Sequence, residues 1–158
     1  MNIYFRPIYK IDINEIYRIK TQTNTFSKEL NNIDFTDLKR KDVEIWFNNL
    51  KNEINTVRFS ICLCKSNYLI GIITLGNINY NNKTCELHIY INSEFHGNGY
   101  GSCSIQKILL FCDKILGIKE INLKVFKNNK SAIHLYNKYG FKTYKEDDIY
   151  IYQKYTYK

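Results

Sequence analysis

The sequence predicts an α/β domain built on one mixed, mainly antiparallel sheet. Three strand-like runs in the middle of the chain are joined by short turns, which is typical of an antiparallel meander. The apolar period then becomes helical over Ser102–Leu116 and returns to alternation over Glu120–Phe126. A strand, a long helix and a further strand imply a crossover, so we expect one parallel strand pair in the sheet.

The first elements are predicted from local signals. A short strand covers Ile3–Arg6 and ends at Pro7. Asp12 and Glu15 have the spacing of a capping box, which predicts that a helix opens there and continues over Ile13–Lys20.

A polar stretch, Thr21–Asn32, is predicted as a loop or an irregular helix, and apolar residues at helical spacing predict a helix over Asp42–Leu50. The strands of the meander are then expected over Val57–Cys64, Tyr68–Leu75 and Thr84–Ile91.

The last part of the chain continues the same pattern. The helix over Ser102–Leu116 buries one apolar face that includes Ile115, and Gly117 ends it. A short helix over Ser131–Tyr139 ends at Gly140. The final strands are expected over Phe141–Tyr144 and Ile149–Tyr155.

Composition limits the class of protein. A chain of 158 residues with 44% hydrophobic residues can bury a core, and we expect a single domain over residues 1–158. The longest apolar run, Tyr68–Gly76, is too short to span a bilayer, and residues 1–10 lack the apolar stretch of a secretory signal. We therefore predict a cytoplasmic protein without a membrane partner.

Charge and cysteine content exclude further classes. The formal net charge is +8, but the lysines are dispersed and there are only four arginines, so we do not expect a nucleic-acid partner. The five cysteines form no CxxC pair. Cys85 and His88 could form half of a metal site, but no second pair follows at ligand spacing, and we predict no metal.

The stretch from His96 to Ser102 carries the first chemical signal. It contains glycines at positions 97, 99 and 101 and lies between a predicted strand and a long helix. Such glycines allow the backbone to approach a ligand, and the helix start adds its positive dipole end, so the segment predicts a phosphate site. The spacing matches neither a Walker loop nor a dinucleotide fingerprint.

A second motif follows one strand later, from Asn129 to Phe141. Together the two segments resemble the GNAT family of N-acetyltransferases, which use acetyl-CoA. The family's phosphate motif, Arg/Gln-x-x-Gly-x-Gly/Ala, has its counterpart in His96-x-x-Gly99-x-Gly101. Every position of the family's later motif, Asn-x-x-Ala-x-x-Leu-Tyr-x-x-x-Gly-Phe, is matched. His96 departs from the usual Arg or Gln, and a neutral imidazole is a weaker phosphate partner.

The resemblance implies a cofactor site and its geometry. Strands Thr84–Ile91 and Glu120–Phe126 should run parallel and splay apart where acetyl-CoA binds. The pyrophosphate should lie on backbone amides, and the first of these strands should offer backbone groups to the pantetheine arm. The residues expected to bind the cofactor are Ile89, Tyr90, Ile91, His96, Gly97, Asn98, Gly99, Tyr100, Gly101, Ser102, Asn129, Ala132 and Tyr136.

The implied reaction is the attack of an amine on a thioester, which requires a proton acceptor for the amine and a proton donor for the departing thiolate. By resemblance, Tyr136 holds the position of the general acid. Glu86, in the strand beside the expected cofactor groove, is the best candidate for the base, although a paired or exposed carboxylate on a sheet is the more common role.

The acceptor is predicted by a finer resemblance. Arg18, the pair Trp46-Phe47 and the strand Cys85–Tyr90 look like the branch that acetylates amino-sugar nucleotides and ribosomal protein termini. We expect a nucleotide-linked amino sugar, because the net positive charge suits a diphosphate and would repel a polyamine. The alternatives are a protein N-terminal acetyltransferase and a non-catalytic module that binds CoA or nucleic acid. A homodimer is left open.

Overall fold

The computed structural model describes residues 2–22 and 38–158. The strands are β1 (Ile3–Arg6), β2 (Val57–Leu63), β3 (Leu69–Asn79), β4 (Thr84–Ile91), β5 (Glu120–Phe126), β6 (Lys142–Glu146) and β7 (Tyr150–Thr156). The helices are α1 (Ile13–Gln22), α2 (Arg40–Asn49), α3 (Tyr100–Phe111) and α4 (Lys130–Lys138). Short 3-10 turns cover Lys10–Asp12, Leu50–Asn52 and Ser93–Phe95.

The seven strands form one sheet in the order β1-β2-β3-β4-β5-β7-β6. Strands β4 and β5 pair in parallel, and every other neighbouring pair is antiparallel. The predicted mixed sheet with one parallel pair is therefore confirmed. The bounds of β1, β4 and β5 are those predicted from the sequence.

Helices cover both faces of the sheet. On one face, α3 and α4 pack on a core that includes Ile73, Ile105 and Phe141. On the other face, α1 and α2 pack on a smaller core that includes Ile16 and Val43. Adjacent strand residues alternate between these two cores because successive side chains of a strand point to opposite faces.

The predicted capping box at the start of α1 is wrong. The Asp12 carboxylate accepts hydrogen bonds from the Tyr9 backbone N–H (2.8 Å) and from Arg6, while Glu15 accepts from Arg18. Asp12 is 4% exposed, and its charge is stabilised by Arg6 and by the start of the 3-10 turn Lys10–Asp12 instead of by the start of α1. Asp12 and Glu15 have the spacing of a capping box, but the contact of Asp12 with Arg6 of β1 determines what its carboxylate does.

The predicted helix over Ser102–Leu116 differs at both ends. It begins at Tyr100 and becomes a π-helical turn from Cys112 to Leu116, which Gly117 ends at φ +64°. A π turn places one extra residue in the turn, so residues after it leave the 3.6-residue stripe. Ile115, predicted on the buried face, is consequently 68% exposed.

Strand β3 runs to Asn79, beyond the predicted end at Leu75. Its register with β4 shifts between Gly76 and Asn79, and Asn77 has φ +50°. An irregularity of this kind breaks the alternation of apolar and polar residues by which a strand is recognised in the sequence. The strand was therefore predicted to end too early. Of the predicted loop Thr21–Asn32, the first two residues belong to α1 and the rest lie outside the described residues. In the described part of the chain, no helix is long and apolar enough to cross a membrane.

Candidate active site

The opening between β4 and β5 is the central feature of the candidate site. Their parallel pairing extends only from Thr84–Glu120 to Glu86–Asn122. Beyond it, β4 remains paired with β3 as far as Ile91, and β5 remains paired with β7 as far as Phe126. The two strands therefore splay, and β4 presents a backbone edge from Leu87 onward to the opening. An unpaired edge can accept an extended ligand as an added strand.

The loop before α3 provides backbone donors. Gly97 and Gly99 have φ +74° and +73°, a conformation that L side chains rarely adopt. Among the described residues, no backbone N–H from Gly97 to Ser102 donates a hydrogen bond to a protein group. These N–H groups lie at the N-terminus of α3, where the helix dipole also favours an anion. Such a loop can bind a phosphate, and this role stays a prediction.

Gly101 lies where three elements of the site, α3, α4 and β4, come together. A Cβ atom built there would lie 3.1 Å from Leu135 Cδ2, on α4, and 3.9 Å from Ile91 Cδ1, at the end of β4. The missing side chain lets α3 start close against β4 and α4. This packing role was not anticipated by the sequence, which suggested only a contact between glycine and ligand.

His96 folds back onto the strand. Its Nε2 donates to the Ile91 carbonyl at 2.7 Å, and the Asn98 side chain donates to the His96 carbonyl at 3.0 Å. In this conformation, His96 fixes the turn between β4 and the glycine loop. The Ile91 carbonyl, predicted as a cofactor contact, already has this partner.

Tyr136 lies on α4 and is 8% exposed. Its ring packs 5.7 Å from the ring of Phe141, and burial raises the pKa of Tyr136 to about 12. The phenol is protonated at neutral pH, as an ordinary tyrosine is, and burial makes it a weaker acid. Asn129 caps the same helix, since its side-chain oxygen accepts from the Ala132 N–H at 3.1 Å. This bond accounts for Asn129 and Ala132 in the motif, because both residues form the start of the helix. Their contact with a cofactor stays a prediction.

Glu86 lies on the opposite face of β4 from the buried Leu87, together with His88 and Tyr90. The Glu86 carboxylate lies 3.7 Å from His88 Nε2, and both side chains are about half exposed. Tyr90 packs further along this face with Ile72, beneath the helices α1 and α2. The polar part of this surface, defined by Arg58, Thr74, Glu86, His88 and Lys124, is called the acceptor face below.

Two polar networks hold the elements around the acceptor face, and the sequence indicated neither. Asp12 joins Arg6 of β1 to Ser60 of β2 at 2.7–3.2 Å. Arg18 of α1 binds Glu15, Tyr68 and Glu94, and Glu94 belongs to the turn that precedes the glycine loop. The Arg18–Glu15 pair is local, but the bonds of these networks to Ser60, Tyr68 and Glu94 cross 48–76 residues, so no local pattern could have found those.

Comparison with known proteins identifies the family. A family model described as the acetyltransferase (GNAT) domain matches residues 2–142. This chain belongs to the GNAT acetyltransferase family. Membership confirms the predicted family, the acyltransferase class and acetyl-CoA as the cofactor of that class.

Individual relatives share part of the sequence. The spermidine N(1)-acetyltransferase of Vibrio cholerae is 37% identical over 73 residues, which are 46% of this chain and 42% of that enzyme. Acetyltransferase PseH of Campylobacter jejuni is 28% identical over 120 residues, 76% of this chain and 69% of PseH. The sequence match thus spans less than half the length of the Vibrio enzyme.

Solved GNAT structures share the fold over nearly the whole chain. The Vibrio cholerae spermidine N-acetyltransferase in complex with CoA and spermine superposes with a TM-score of 0.84 at 22% identity, covering 98% of this chain and 95% of that one. PseH in complex with acetyl-CoA gives a TM-score of 0.75 at 20% identity, covering 98% and 99%. At this identity the likeness concerns the fold alone.

Proposed function

We propose that the protein transfers an acetyl group from acetyl-CoA to a primary amine of a small molecule. The observation that carries the proposal is the splay of β4 and β5 beside a loop whose N–H groups, from Gly97 to Ser102, have no protein acceptor among the described residues. A pantetheine arm suits the open edge of β4, and a pyrophosphate suits the loop.

The roles of the residues follow from the reaction. Acetyl-CoA supplies a thioester carbonyl for the amine to attack and a thiolate as leaving group. The amides of Gly97–Ser102 bind the anion, and the β4 edge orients the extended arm. Tyr136 Oη is assigned the proton for the departing sulfur, because a phenol is protonated at neutral pH and can donate as the thiolate forms. Glu86 is placed on the acceptor face, where the amine must lose its proton.

The acceptor is proposed to be an amine on an anionic molecule, such as a nucleotide-linked amino sugar. Lys20, Arg58 and Lys124 bring positive charge to the side of the sheet that α1 and α2 partly cover. Burial, together with repulsion from Arg58, lowers the pKa of Lys20, as expected for cations gathered beside each other. The Lys20 ammonium also lies 4.7 Å from the centre of the Trp46 ring. A diphosphate would be stabilised by such charges, and a base or sugar could stack on the ring.

A polyamine is the second candidate, because spermidine N(1)-acetyltransferases are among the relatives in sequence. Glu86 on the acceptor face is a carboxylate that such a cation can bind. The positive charge of Arg58 on the same face is already paired with Glu53 at 2.9 Å. The net charge of +8 opposes this candidate, since it repels a polycation.

The test compares turnover of acetyl-CoA on a nucleotide-linked amino sugar, on spermidine and on peptides with free N-termini, with thiol release as the measurement. We expect the nucleotide-linked amine to have the highest kcat/KM. Preference for spermidine would contradict the electrostatic argument, and preference for a peptide would leave the chemistry intact but change the acceptor. Thermal stabilisation by CoA without turnover on any amine would indicate a binding module.

A further inference from the structure

His88 occupies a particular place on the acceptor face. Parallel pairing of β4 with β5 ends at Glu86, and His88 is the next residue of β4 on the same face. It therefore lies where the opening between the strands begins. The ring has room there, because its cross-strand neighbours on β3 are Thr74 and, beside it, Gly76, whose missing Cβ would lie 4.0 Å from Nε2.

The groups around the ring come from three other strands and from β4 itself. Glu86 of β4 lies 3.7 Å from Nε2. Arg58 of β2 and Lys124 of β5 act on the ring by their charge, and Thr74 of β3 is its register partner. The Arg58 guanidinium donates hydrogen bonds to Glu53 and to Thr74 Oγ1, which hold its position. His88 therefore has one carboxylate and two cations as charged neighbours among the described residues.

These neighbours favour the neutral ring. Partial burial lowers the pKa of His88 below its ordinary value of 6.5, the attraction of Glu86 opposes the shift, and Arg58 and Lys124 add to it. A neutral imidazole at pH 7 can accept a proton, and the side chain is 54% exposed, so a substrate can reach it.

We propose that His88 accepts the proton of the substrate ammonium and that Glu86, which the sequence suggested as the base, acts as a positioning residue for the protonated ring. This inference rests on the proposed function. Nε2 faces Glu86, which leaves Nδ1 to take the proton. The N–H bond of the ammonium breaks, its electron pair stays on nitrogen as the attacking lone pair, and the proton forms an N–H bond on the imidazole. The imidazolium is stabilised by Glu86 and returns the proton to solvent.

The test is the pH dependence of kcat/KM for the acceptor amine in the wild type, His88→Gln and Glu86→Gln, at saturating acetyl-CoA. We expect an acid limb in the wild type with an apparent pKa below 6.5, and in His88→Gln we expect it to be replaced by a rise at the higher pH at which the amine itself loses its proton. At pH 7 we expect His88→Gln to lower kcat/KM by about a hundredfold, with recovery as the pH is raised and free amine increases. Glu86→Gln should move the limb to lower pH, because it removes the charge that favours the imidazolium.

His134→Gln is the matched control, since it removes an exposed imidazole from α4 and should leave the acid limb unchanged. CoA affinity, measured by thermal shift, should be the same in His88→Gln and the wild type. An unchanged acid limb in an active His88→Gln variant would overturn the inference. So would loss of turnover in Glu86→Gln with no shift of the limb, which would make Glu86 the base. A wild-type protein that binds CoA but acetylates no amine overturns the proposed function itself.

Discussion

The cofactor side and the acceptor side of this protein are built by different means. On the proposed cofactor side, from β4 to α4, the groups available to a ligand belong to the backbone: the N–H groups of Gly97–Ser102 and the open edge of β4. On the acceptor side, the elements are held by side-chain networks around Asp12 and Arg18. The backbone groups depend on glycines and helix starts, whereas the networks join near pairs, such as Arg18–Glu15, to residues that are distant in the chain, such as Ser60 and Glu94.

This difference makes the two sides respond differently to substitution. A change on the acceptor side should alter stability or acceptor turnover and spare CoA binding. A change on the cofactor side should alter CoA binding or the release of the thiolate and leave the side-chain networks of the acceptor side intact. The predictions below begin with the largest expected effect and end with the smallest, and most of them compare a residue of one side with a matched control.

The largest effect is expected at Asp12. Asp12→Ala leaves Arg6, whose side chain is only 16% exposed, without its partner, and the free energy of unfolding should fall by about 3–5 kcal/mol. Urea denaturation measures this. Asp42→Ala is the control, because within residues 2–22 and 38–158 the Asp42 side chain accepts a hydrogen bond only from the exposed Lys39 N–H at the start of α2, and its loss should cost about 1 kcal/mol.

Asp12 also predicts a pH dependence. Burial would raise the pKa of Asp12, but the Arg6 and Tyr9 bonds outweigh it and hold the pKa below its ordinary 3.8. The stabilisation is therefore complete above about pH 4–5 and is lost as the pH falls through the lower, folded-state pKa. The Asp12→Ala variant should lack this component. An equal acid dependence in both proteins would contradict the network.

Tyr136→Phe should lower kcat by about ten- to several-hundred-fold and change KM for acetyl-CoA little, because the hydroxyl acts as the thiolate forms. Tyr139→Phe, at the C-terminal end of the same helix, is the control and should retain normal kcat. If Tyr136→Phe keeps kcat as well, Tyr136 is a packing residue beside Phe141 and solvent protonates the thiolate.

Substitutions at two glycines distinguish the effect of backbone strain from the effect of a lost contact with the ligand. Gly97 and Gly117 have φ +74° and +64°, and a Cβ on either would meet nothing within 4 Å. Gly97→Ala and Gly117→Ala should therefore lose similar stability, about 1–2 kcal/mol. Only Gly97→Ala should weaken CoA binding, by about tenfold in calorimetry. Equal CoA affinity in the two variants would show that the glycine loop is not part of the cofactor site.

Larger side chains in the glycine loop give a stronger but less specific test. Gly99→Val, at φ +73°, should weaken CoA binding more than Gly97→Ala. Gly101→Val should also weaken it, but its side chain would press on Leu135, so packing contributes to that loss.

The smallest effect is expected where the two sides meet. Arg18 of α1 binds Glu94 at 3.3 Å in an exposed pair. Glu94→Gln should change the free energy of unfolding by no more than about 1 kcal/mol, because solvent screens such pairs. Thermal denaturation checks this. A loss as large as that of Asp12→Ala would mean that the two sides are held together much more tightly than the comparison assumes.

The sequence predicted the strands and the glycine loop of the proposed cofactor side well because their determinants are local, and the binding roles of the residues there stay predictions. Alternation marks β4 and β5, and the glycines mark the loop. The acceptor side was predicted less well. Asp12 has the spacing of a helix cap, yet its carboxylate pairs with Arg6, and the bond of Ser60 to it crosses 48 residues. His88 had a usable signal, since its i+2 spacing from Glu86 places both on one face of a strand.

The most direct test of the account is a titration of the 15N-labelled protein with CoA, followed through its amide resonances. We expect the largest shifts at the amides from Gly97 to Ser102 and from Leu87 to Ile91, and almost none at Arg6, Asp12 and Ser60. That result would place the cofactor on the backbone of one side of the molecule. Shifts concentrated at Arg6, Asp12 and Ser60, with the glycine loop unchanged, would contradict it.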